Sequence, residues 1–260
     1  MSEPEALSLT AGSGAAARAI AVLVRPATAA GAGRPAVMFL GGFRSDMTGS
    51  KAEALDRWAQ ETGRALIRFD YSGHGRSGGS FTDGTISRWA EEARAVLEHC
   101  VHGPVVLVGS SMGGWISLLL ARALAAEGRP AAGLVLIAPA PDFTEDLMFA
   151  AMDEQTRARL LSDGFIAQPS DYSDEPYIIT RALIEDGRRN RLLTGEIATG
   201  CPVHILQGVE DADVPWRHAL RLVDRLTRDD VVVTLVKDGD HRLSRPQDLE
   251  RMIKAVADIA

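Results

Sequence analysis

The chain has 260 residues, of which 46% are hydrophobic and 24% are charged, so it can bury a sizeable core and is not intrinsically disordered. Its formal net charge of −7 would repel a phosphate backbone, so we expect no nucleic-acid partner. The two cysteines, Cys100 and Cys201, are far apart and outside any Cys/His cluster, so neither a disulfide framework nor a zinc site is predicted.

The beginning of the chain and its hydropathy bear on the cellular compartment. The first residues, Met-Ser-Glu-Pro-Glu, lack the positive end and apolar run of a secretory signal, and a transit peptide would avoid the acids. No apolar stretch reaches the ~18 residues that a membrane-spanning helix needs, so we expect no membrane insertion. We therefore expect a cytoplasmic protein.

Short apolar runs alternate with amphipathic stretches along the chain. The runs are rich in Val, Ile and Leu and predict buried parallel strands at residues 19–24, 36–40, 65–69, 104–109, 133–138, 202–207 and 231–236. The stretches between them predict helices at residues 51–62, 85–100 (with Thr85 as N-cap), 112–126, 215–226 and 246–259. This alternation predicts an α/β fold, a mostly parallel central sheet flanked by helices, in a single domain of residues 1–260.

One segment, residues 141–200, interrupts this alternation. It places about sixty residues between two predicted strands, and a structureless loop of that length is unusual. We interpret it as a small, partly helical cap inserted into the domain. The alternative is a peripheral helical excursion without a functional role. The segment holds five aromatic residues: Phe143, Phe149, Phe165, Tyr172 and Tyr177.

A candidate nucleophile follows the predicted strand at residues 104–109. The sequence Gly109-Ser110-Ser111-Met112-Gly113 has the pattern G-x-S-x-G between a strand and a helix, which is the context this motif requires. The turn is crowded, so small residues are needed two positions on either side of the nucleophile. Ser111 has Gly109 and Gly113 there, whereas Ser110 has larger neighbours. Ser111 is therefore the predicted nucleophile.

A serine hydroxyl is a weak nucleophile that needs a base held in place by an acid. In this architecture the acid and then the histidine follow the serine, each after a late strand. Asp211 lies in the loop after the predicted strand at residues 202–207. His241 lies after the strand at residues 231–236, ahead of the last helix. In the acid loop Asp213 is the rival candidate, and Glu210 is less favoured.

Acyl transfer also needs hydrogen-bond donors for the developing oxyanion. The amide of Met112, directly after the nucleophile at a helix N-terminus, is one predicted donor. The other is expected in the loop Leu40-Gly41-Gly42-Phe43, after an earlier strand, with the Phe43 amide as our choice.

A glycine-rich loop, Asp70-Tyr71-Ser72-Gly73-His74-Gly75-Arg76-Ser77-Gly78-Gly79, follows the predicted strand at residues 65–69. It lacks the G-K-[ST] ending of a P-loop and the G-x-G-x-x-G spacing of a dinucleotide site. We therefore predict no cofactor, and no metal-ligand cluster is visible in the sequence. His74 is expected to brace the site rather than to transfer protons.

Taken together, these residues resemble the α/β-hydrolase superfamily in their order and spacing. More narrowly, the chain is similar, from about residue 35 onward, to the branch that includes the acyl-glucuronide esterase and palmitoyl-protein thioesterase of animals. The segments that carry this similarity are residues 68–73, 109–115, 169–173, 213–216 and 240–242.

The resemblance implies a role for each candidate residue. Ser111 is the nucleophile, Asp211 the acid and His241 the base, with Phe43 and Met112 as the oxyanion amides. The common His-Gly before the oxyanion residue is Gly41-Gly42 here, so Gly42 is the alternative second donor. Because no mitochondrial targeting segment is evident, the resemblance points to a bacterial-type cytoplasmic member.

The leading functional hypothesis is a cofactor-free serine hydrolase of small-molecule carboxylic esters or thioesters. In it, Ser111 attacks, an acyl-enzyme forms, and His241 activates water to release the acid. Cleavage of a C–C bond, or another acyl transfer on the same triad, is a second hypothesis, since fold does not dictate chemistry. A non-catalytic ligand receptor on the same fold is a third.

Overall fold

The computed structural model describes residues 3–168 and 176–260. The strands of its central sheet are β1 (Glu5–Ala11), β2 (Arg18–Arg25), β3 (Ala36–Leu40), β4 (Leu66–Phe69), β5 (Val105–Ser110), β6 (Gly133–Ile137), β9 (Val203–Gly208) and β10 (Val231–Val236). A separate two-stranded hairpin consists of β7 (Phe165–Gln168) and β8 (Tyr177–Thr180).

The central sheet has the strand order β1-β2-β4-β3-β5-β6-β9-β10. The six strands from β4 to β10 in this order pair in parallel, whereas β2 joins β4 and β1 joins β2 in antiparallel fashion. The predicted α/β fold with a mostly parallel sheet is confirmed. Two strands differ from the prediction of buried parallel strands: the strand predicted at residues 19–24 is antiparallel to both neighbours, and in β10, at the other edge of the sheet, only Val236 is buried. The strand β1 was not predicted; it lies at the sheet edge and most of its residues are exposed, so it lacks the continuous apolar run used to find the others.

Helices cover both faces of the sheet. They are α1 (Ser50–Thr62), α2 (Ile86–Cys100), α3 (Met112–Ala126), α6 (Trp216–Val223) and α7 (Pro246–Ile259). α1 and α7 pack on one face, where Leu55 and Met252 join the same hydrophobic cluster. α2, α3 and α6 pack on the other face, around Trp89, Trp115 and Leu222.

The predicted helices are present, with α6 ending three residues earlier than expected. Thr85 is the N-cap of α2, as predicted, and its hydroxyl accepts the Arg88 N–H at 3.2 Å. Within the described part of the chain, no helix is both long enough and apolar enough to cross a bilayer.

The insertion between β6 and β9 contains a π-helical segment (Thr144–Phe149), α4 (Glu154–Asp163), the β7–β8 hairpin and α5 (Arg181–Arg189). It has a small hydrophobic cluster of its own, formed by Met152, Leu160, Ile166, Ile179 and Ile184. The hairpin was not predicted, because strands of four residues are too short to show a period. Residues 169–173, which carry part of the family resemblance, lie outside the described residues, as does Tyr172.

The insertion is attached to the helices of one face by polar contacts. The Asp186 carboxylate accepts the Ser87 N–H at 2.7 Å, at the beginning of α2. The Trp115 indole in α3 donates to the Asn190 carbonyl at 3.2 Å. These contacts place the insertion over the carboxyl ends of the parallel strands, where ligands bind in open α/β sheets.

Candidate active site

Ser111 lies at the sharp turn between β5 and α3. Its backbone has φ 53° and ψ −116°, a conformation that is strained for a residue with a side chain. A Cβ atom on Gly109 would lie 2.4 Å from the Gly113 carbonyl oxygen, and one on Gly113 would lie 2.0 Å from the Leu40 carbonyl oxygen. No larger residue fits at either position, as the prediction of Ser111 rather than Ser110 as the nucleophile requires.

The three predicted residues Ser111, His241 and Asp211 lie together at the carboxyl edge of the sheet. The Nε2 atom of His241 is 3.1 Å from the Ser111 hydroxyl, and its Nδ1 atom is 2.8 Å from Asp211 Oδ2. An ionised carboxylate can only accept hydrogen bonds, so Nδ1 carries the hydrogen and Nε2 is free to accept the serine proton. Asp211 lies in the loop after β9, and His241 lies in the loop after β10.

The Asp211 carboxylate is held by four donors. Its Oδ1 accepts the backbone N–H groups of Asp213 at 2.9 Å and Val214 at 2.8 Å. Its Oδ2 accepts the Gln207 side-chain amide at 3.0 Å, in addition to His241. Gln207 was not predicted from the sequence, because it is the last residue of a predicted buried strand and nothing in the pattern distinguishes its side chain.

The rival acids occupy different positions. Asp213 and Glu210 are exposed, whereas Asp211 is buried. Asp211, Asp213 and His241 each offer a potential ligand atom within 4.8 Å of the others. However, a cation there would compete with the donors that already occupy both Asp211 oxygens. The contacts observed are those of a hydrogen-bonded acid–base pair.

The predicted oxyanion donors are on two segments that meet at Ser111. Met112 is the first residue of α3, so its N–H is one of those that have no partner within the helix. The loop after β3 passes directly over Ser111, since a Cβ on Gly42 would lie 3.4 Å from the Ser111 Cβ. Gly42 and Phe43 both line the cavity at this point.

The glycine-rich loop after β4 surrounds the carboxylate of its first residue, Asp70. Asp70 accepts the Met47 N–H on Oδ1 and the Arg76 N–H on Oδ2, both at 2.7 Å. Gly75 has φ +45°, and a Cβ there would lie 2.1 Å from Asp70 Oδ2. Burial raises the pKa of Asp70, and the two backbone bonds oppose that rise. Gly75 therefore makes room for Asp70, which ties this loop to the loop after β3.

A cavity of about 630 Å³ opens above Ser111 and His241. On the side of the insertion its lining is mostly apolar and includes Phe143, Leu147, Met148, Ala151 and Tyr177, with Gln168 as a polar member. On the side of α1 its lining is mostly polar and includes Ser45, Asp46, Ser50, Lys51, Arg242 and Ser244. The two sides lie over opposite faces of the sheet, with the Ser111–His241 pair between them.

Lys51 is a polar member of this lining that the sequence analysis did not single out. Its ammonium group donates to the Arg242 carbonyl, in the loop that carries His241. Burial lowers the pKa of Lys51 to about 8, and the charge of Asp240 opposes the shift. From the sequence, Lys51 was the first residue of a predicted helix and carried no other signal.

Fold, elbow and cavity define an α/β hydrolase, and the sequence matches the alpha/beta hydrolase family over residues 31–259. The chain therefore belongs to that family, and the predicted family, fold and hydrolase class are confirmed.

Individual relatives agree with this assignment. The chain is 35% identical to the mitochondrial palmitoyl-protein thioesterase ABHD10 of Mus musculus over 226 residues, covering 86% of this chain and 75% of that protein. For the Homo sapiens protein the identity is 32%, covering 86% and 72%. A putative hydrolase from Agrobacterium vitis S4 superposes with a TM-score of 0.95 at 56% identity over 99% of both chains. The mouse alpha/beta hydrolase domain-containing protein 10 gives 0.85 at 31% identity, over 98% of this chain and 97% of that one.

Proposed function

We propose that this protein is a cofactor-free serine hydrolase that cleaves carboxylic esters or thioesters through an acyl-enzyme. The observation that carries the proposal is the His241 imidazole, which bridges the Ser111 hydroxyl and the Asp211 carboxylate at the floor of the cavity. This is the order of contacts that nucleophile, base and orienting acid require.

In the first half-reaction the Ser111 hydroxyl attacks the acyl carbon while His241 Nε2 takes its proton. Asp211 keeps the imidazole in the Nδ1–H tautomer and stabilises the imidazolium that forms. The Met112 and Phe43 amides donate to the oxyanion, where a donor is most effective because charge develops there. The imidazolium then protonates the leaving alcohol or thiol as the bond to it breaks.

The second half-reaction releases the acid. Water takes the place of the leaving group, His241 Nε2 removes one of its protons, and the resulting hydroxide attacks the acyl carbon of the Ser111 ester. The same two amides stabilise the second oxyanion. Collapse of this intermediate returns the proton from His241 to the Ser111 oxygen, which restores the free enzyme.

We propose that the insertion acts as a cap that shapes the acyl site. Its apolar wall, with Phe143, Leu147 and Met148, suits a hydrocarbon acyl group, and the polar wall beside Lys51 suits the leaving group. The relatives named as palmitoyl-protein thioesterases support an acyl substrate of this kind. Those relatives are named as mitochondrial; the cytoplasmic location expected for this chain remains a prediction from its sequence.

The Ser111→Ala variant tests the proposal. We expect it to abolish hydrolysis of a p-nitrophenyl ester and covalent labelling by a fluorophosphonate probe. The Ser110→Ala variant, one position away at the end of β5, is the matched control and should still be labelled. If Ser111→Ala were still labelled, the assignment of Ser111 as the nucleophile would be wrong. A wild-type protein that binds such esters without releasing the phenol would favour the receptor hypothesis.

A further inference from the structure

The turn that carries the predicted Phe43 donor has an unusual residue in it. The Ser45 N–H donates to the Gly42 carbonyl at 3.1 Å and closes a β-turn over residues 42–45. The third residue of this turn, Arg44, has φ 57°. A positive φ at that position is the mark of a type II turn, where glycine is usual because a side chain is strained there. A contact from outside the turn must therefore stabilise this conformation.

His74 provides that contact. The Arg44 N–H donates to His74 Nε2 at 3.0 Å, and His74 Nδ1 is 3.1 Å from the Ser72 carbonyl oxygen. A carbonyl can only accept, so Nδ1 carries the hydrogen and Nε2 presents a lone pair to the Arg44 amide. Both hydrogen bonds thus select the same neutral tautomer of His74.

The imidazole of His74 is buried and packed against aromatic rings. His74 is 5% exposed, and its ring packs edge-on against three aromatic rings: those of Tyr71 at 5.8 Å, Phe81 at 5.2 Å and Trp89 at 5.3 Å. The backbone of Ser72, which orients the imidazole, is itself held by the buried Glu92 carboxylate, which accepts the Ser72 N–H at 2.8 Å and its hydroxyl at 2.6 Å. This support makes His74 a rigid acceptor.

The Arg44 side chain is anchored as well. Its guanidinium lies 4.8 Å from the centre of the Tyr177 ring, in the β7–β8 hairpin, and 5.3 Å from that of Phe81. The Phe43 ring packs against the same two rings, at 6.2 Å and 4.9 Å. The turn is therefore held by its neighbours through both side chains and one amide.

The peptide group between Phe43 and Arg44 can take two orientations in a β-turn. In one, the Arg44 N–H faces His74; in the other, the Phe43 carbonyl does. The Nε2 lone pair attracts the N–H and repels the carbonyl, so neutral His74 selects the first orientation, which sets ψ of Phe43 and φ of Arg44.

We propose that His74 is a positioning residue of the oxyanion hole: its Nε2 holds the Arg44 amide, and the turn so fixed keeps the predicted Phe43 donor in its place beside Ser111. This inference rests on the proposed serine-hydrolase function. It assigns His74 no contact with substrate and no proton transfer.

The pair His74→Leu and His74→Gln tests the proposal, because leucine removes the acceptor and the glutamine carbonyl can replace it. For His74→Leu we expect kcat to fall by about 10- to 100-fold, while KM changes by no more than a few-fold. This loss of kcat should not exceed the loss caused by removing a whole oxyanion donor, which is about 10²- to 10³-fold. Affinity for a tetrahedral analogue, an aryl trifluoromethyl ketone, should fall by the same factor. His74→Gln should recover most of both losses.

A buried histidine elsewhere is the matched control. His218 donates from Nε2 to the Pro141 carbonyl oxygen at 2.7 Å, away from the turn. His218→Leu should lower the melting temperature while leaving the ratio of analogue affinity to KM unchanged. If His74→Leu behaves in the same way, losing only thermal stability, the positioning role is wrong.

A measurement on the unmodified protein separates this inference from the proposed function. Nitrogen NMR of the ¹⁵N-labelled wild type at pH 7 should show His74 with a protonated Nδ1 and an unprotonated Nε2. The opposite tautomer would overturn the inference even in an active enzyme. Conversely, if Ser111→Ala retained full activity, the proposed function would fail whatever the tautomer of His74.

Discussion

Asp211 illustrates how single residues acquire different roles within one loop. The backbone turns immediately after it, so that two amides reach back to its Oδ1 while Oδ2 faces the His241 ring. Asp213 has the same side chain but is exposed at the cavity wall. The two carboxyl groups therefore differ in their hydrogen-bond partners because the backbone turns back toward Asp211. Gln207, at the end of β9, adds a further donor to Asp211.

These contacts predict the effect of Asp211→Asn. The backbone amides of Asp213 and Val214 would keep the carboxamide oxygen on their side, so its NH₂ group would face His241. The imidazole would then have to accept at Nδ1 and carry its hydrogen on Nε2, where it cannot take the serine proton. We expect kcat to fall by about 10⁴-fold, as for the same change in serine proteases, with the melting temperature showing that the fold is kept.

Asp213→Asn is the control for this experiment, and steady-state kinetics on a p-nitrophenyl ester should show a far smaller loss. A larger loss in Asp213→Asn than in Asp211→Asn would transfer the role of the acid to Asp213 while leaving Ser111 and His241 in place.

His74 also predicts a dependence of stability on pH. Burial lowers its pKa from 6.5 to about 4, and the nearby Arg44 charge adds to the shift. Between these two pH values the unfolded chain binds a proton that the folded chain does not, so the free energy of unfolding falls as the pH drops through this window. At roughly 1.4 kcal/mol per pKa unit, the full loss approaches about 3 kcal/mol.

Urea unfolding of wild type and His74→Gln between pH 7 and pH 4 measures this contribution. The variant lacks the titrating group, so wild type should lose stability relative to it as the pH falls. A difference between the two proteins that stays constant over this range would show that His74 does not remain neutral in the folded state.

At the scale of elements, the buried parallel strands and their covering helices were predictable because burial on both faces leaves continuous apolar runs. The same criterion failed for β1, an exposed edge strand, and for the β7–β8 hairpin, whose strands are too short. Site residues at the ends of predicted strands, such as Ser111 and His241, could be proposed from motif and chain order. Gln207 and Lys51 could not, because their importance depends on what the fold places beside them.

The elbow between β5 and α3 depends on close contact with β3. A Cβ on Gly113 would lie 2.0 Å from the Leu40 carbonyl oxygen and 2.5 Å from that of Gly41, both of them backbone atoms that cannot rotate away. Gly113→Ala should therefore push the end of β3 outward and cost about 1–3 kcal/mol of stability. It should also lower kcat, because the displaced segment leads into the oxyanion turn.

Gly103→Ala provides the comparison, since a Cβ there meets nothing within 4 Å. Chemical unfolding should place this control within about 0.5 kcal/mol of wild type. If Gly113→Ala changed stability and kcat as little as Gly103→Ala does, the elbow would not depend on its close packing against β3.

At the scale of the whole molecule, the sheet brings loops from distant parts of the chain to one edge. The proposed nucleophile follows the central strand β5, and the proposed acid and base follow β9 and β10. The insertion over the α3 side and the beginning of α1 on the other side then give the cavity its apolar and polar walls. Of the aromatic residues in the insertion, Phe143 and Tyr177 line the cavity, whereas Phe165 is 53% exposed and points to solvent.

This division predicts a preference for acyl-chain length. Each methylene buried against the apolar wall contributes about 0.8 kcal/mol, part of which is offset by the ordering of the chain on binding. On p-nitrophenyl esters from C2 to C12, kcat/KM should therefore climb from acetate toward medium chains. Leu147→Ser, which removes apolar surface from the wall, should flatten this rise, whereas Phe165→Ser on the outer surface should leave it unchanged. A profile that falls monotonically from acetate in the wild type would mean that the insertion closes over a small pocket, and the acyl site would then have to be sought away from Phe143 and Leu147.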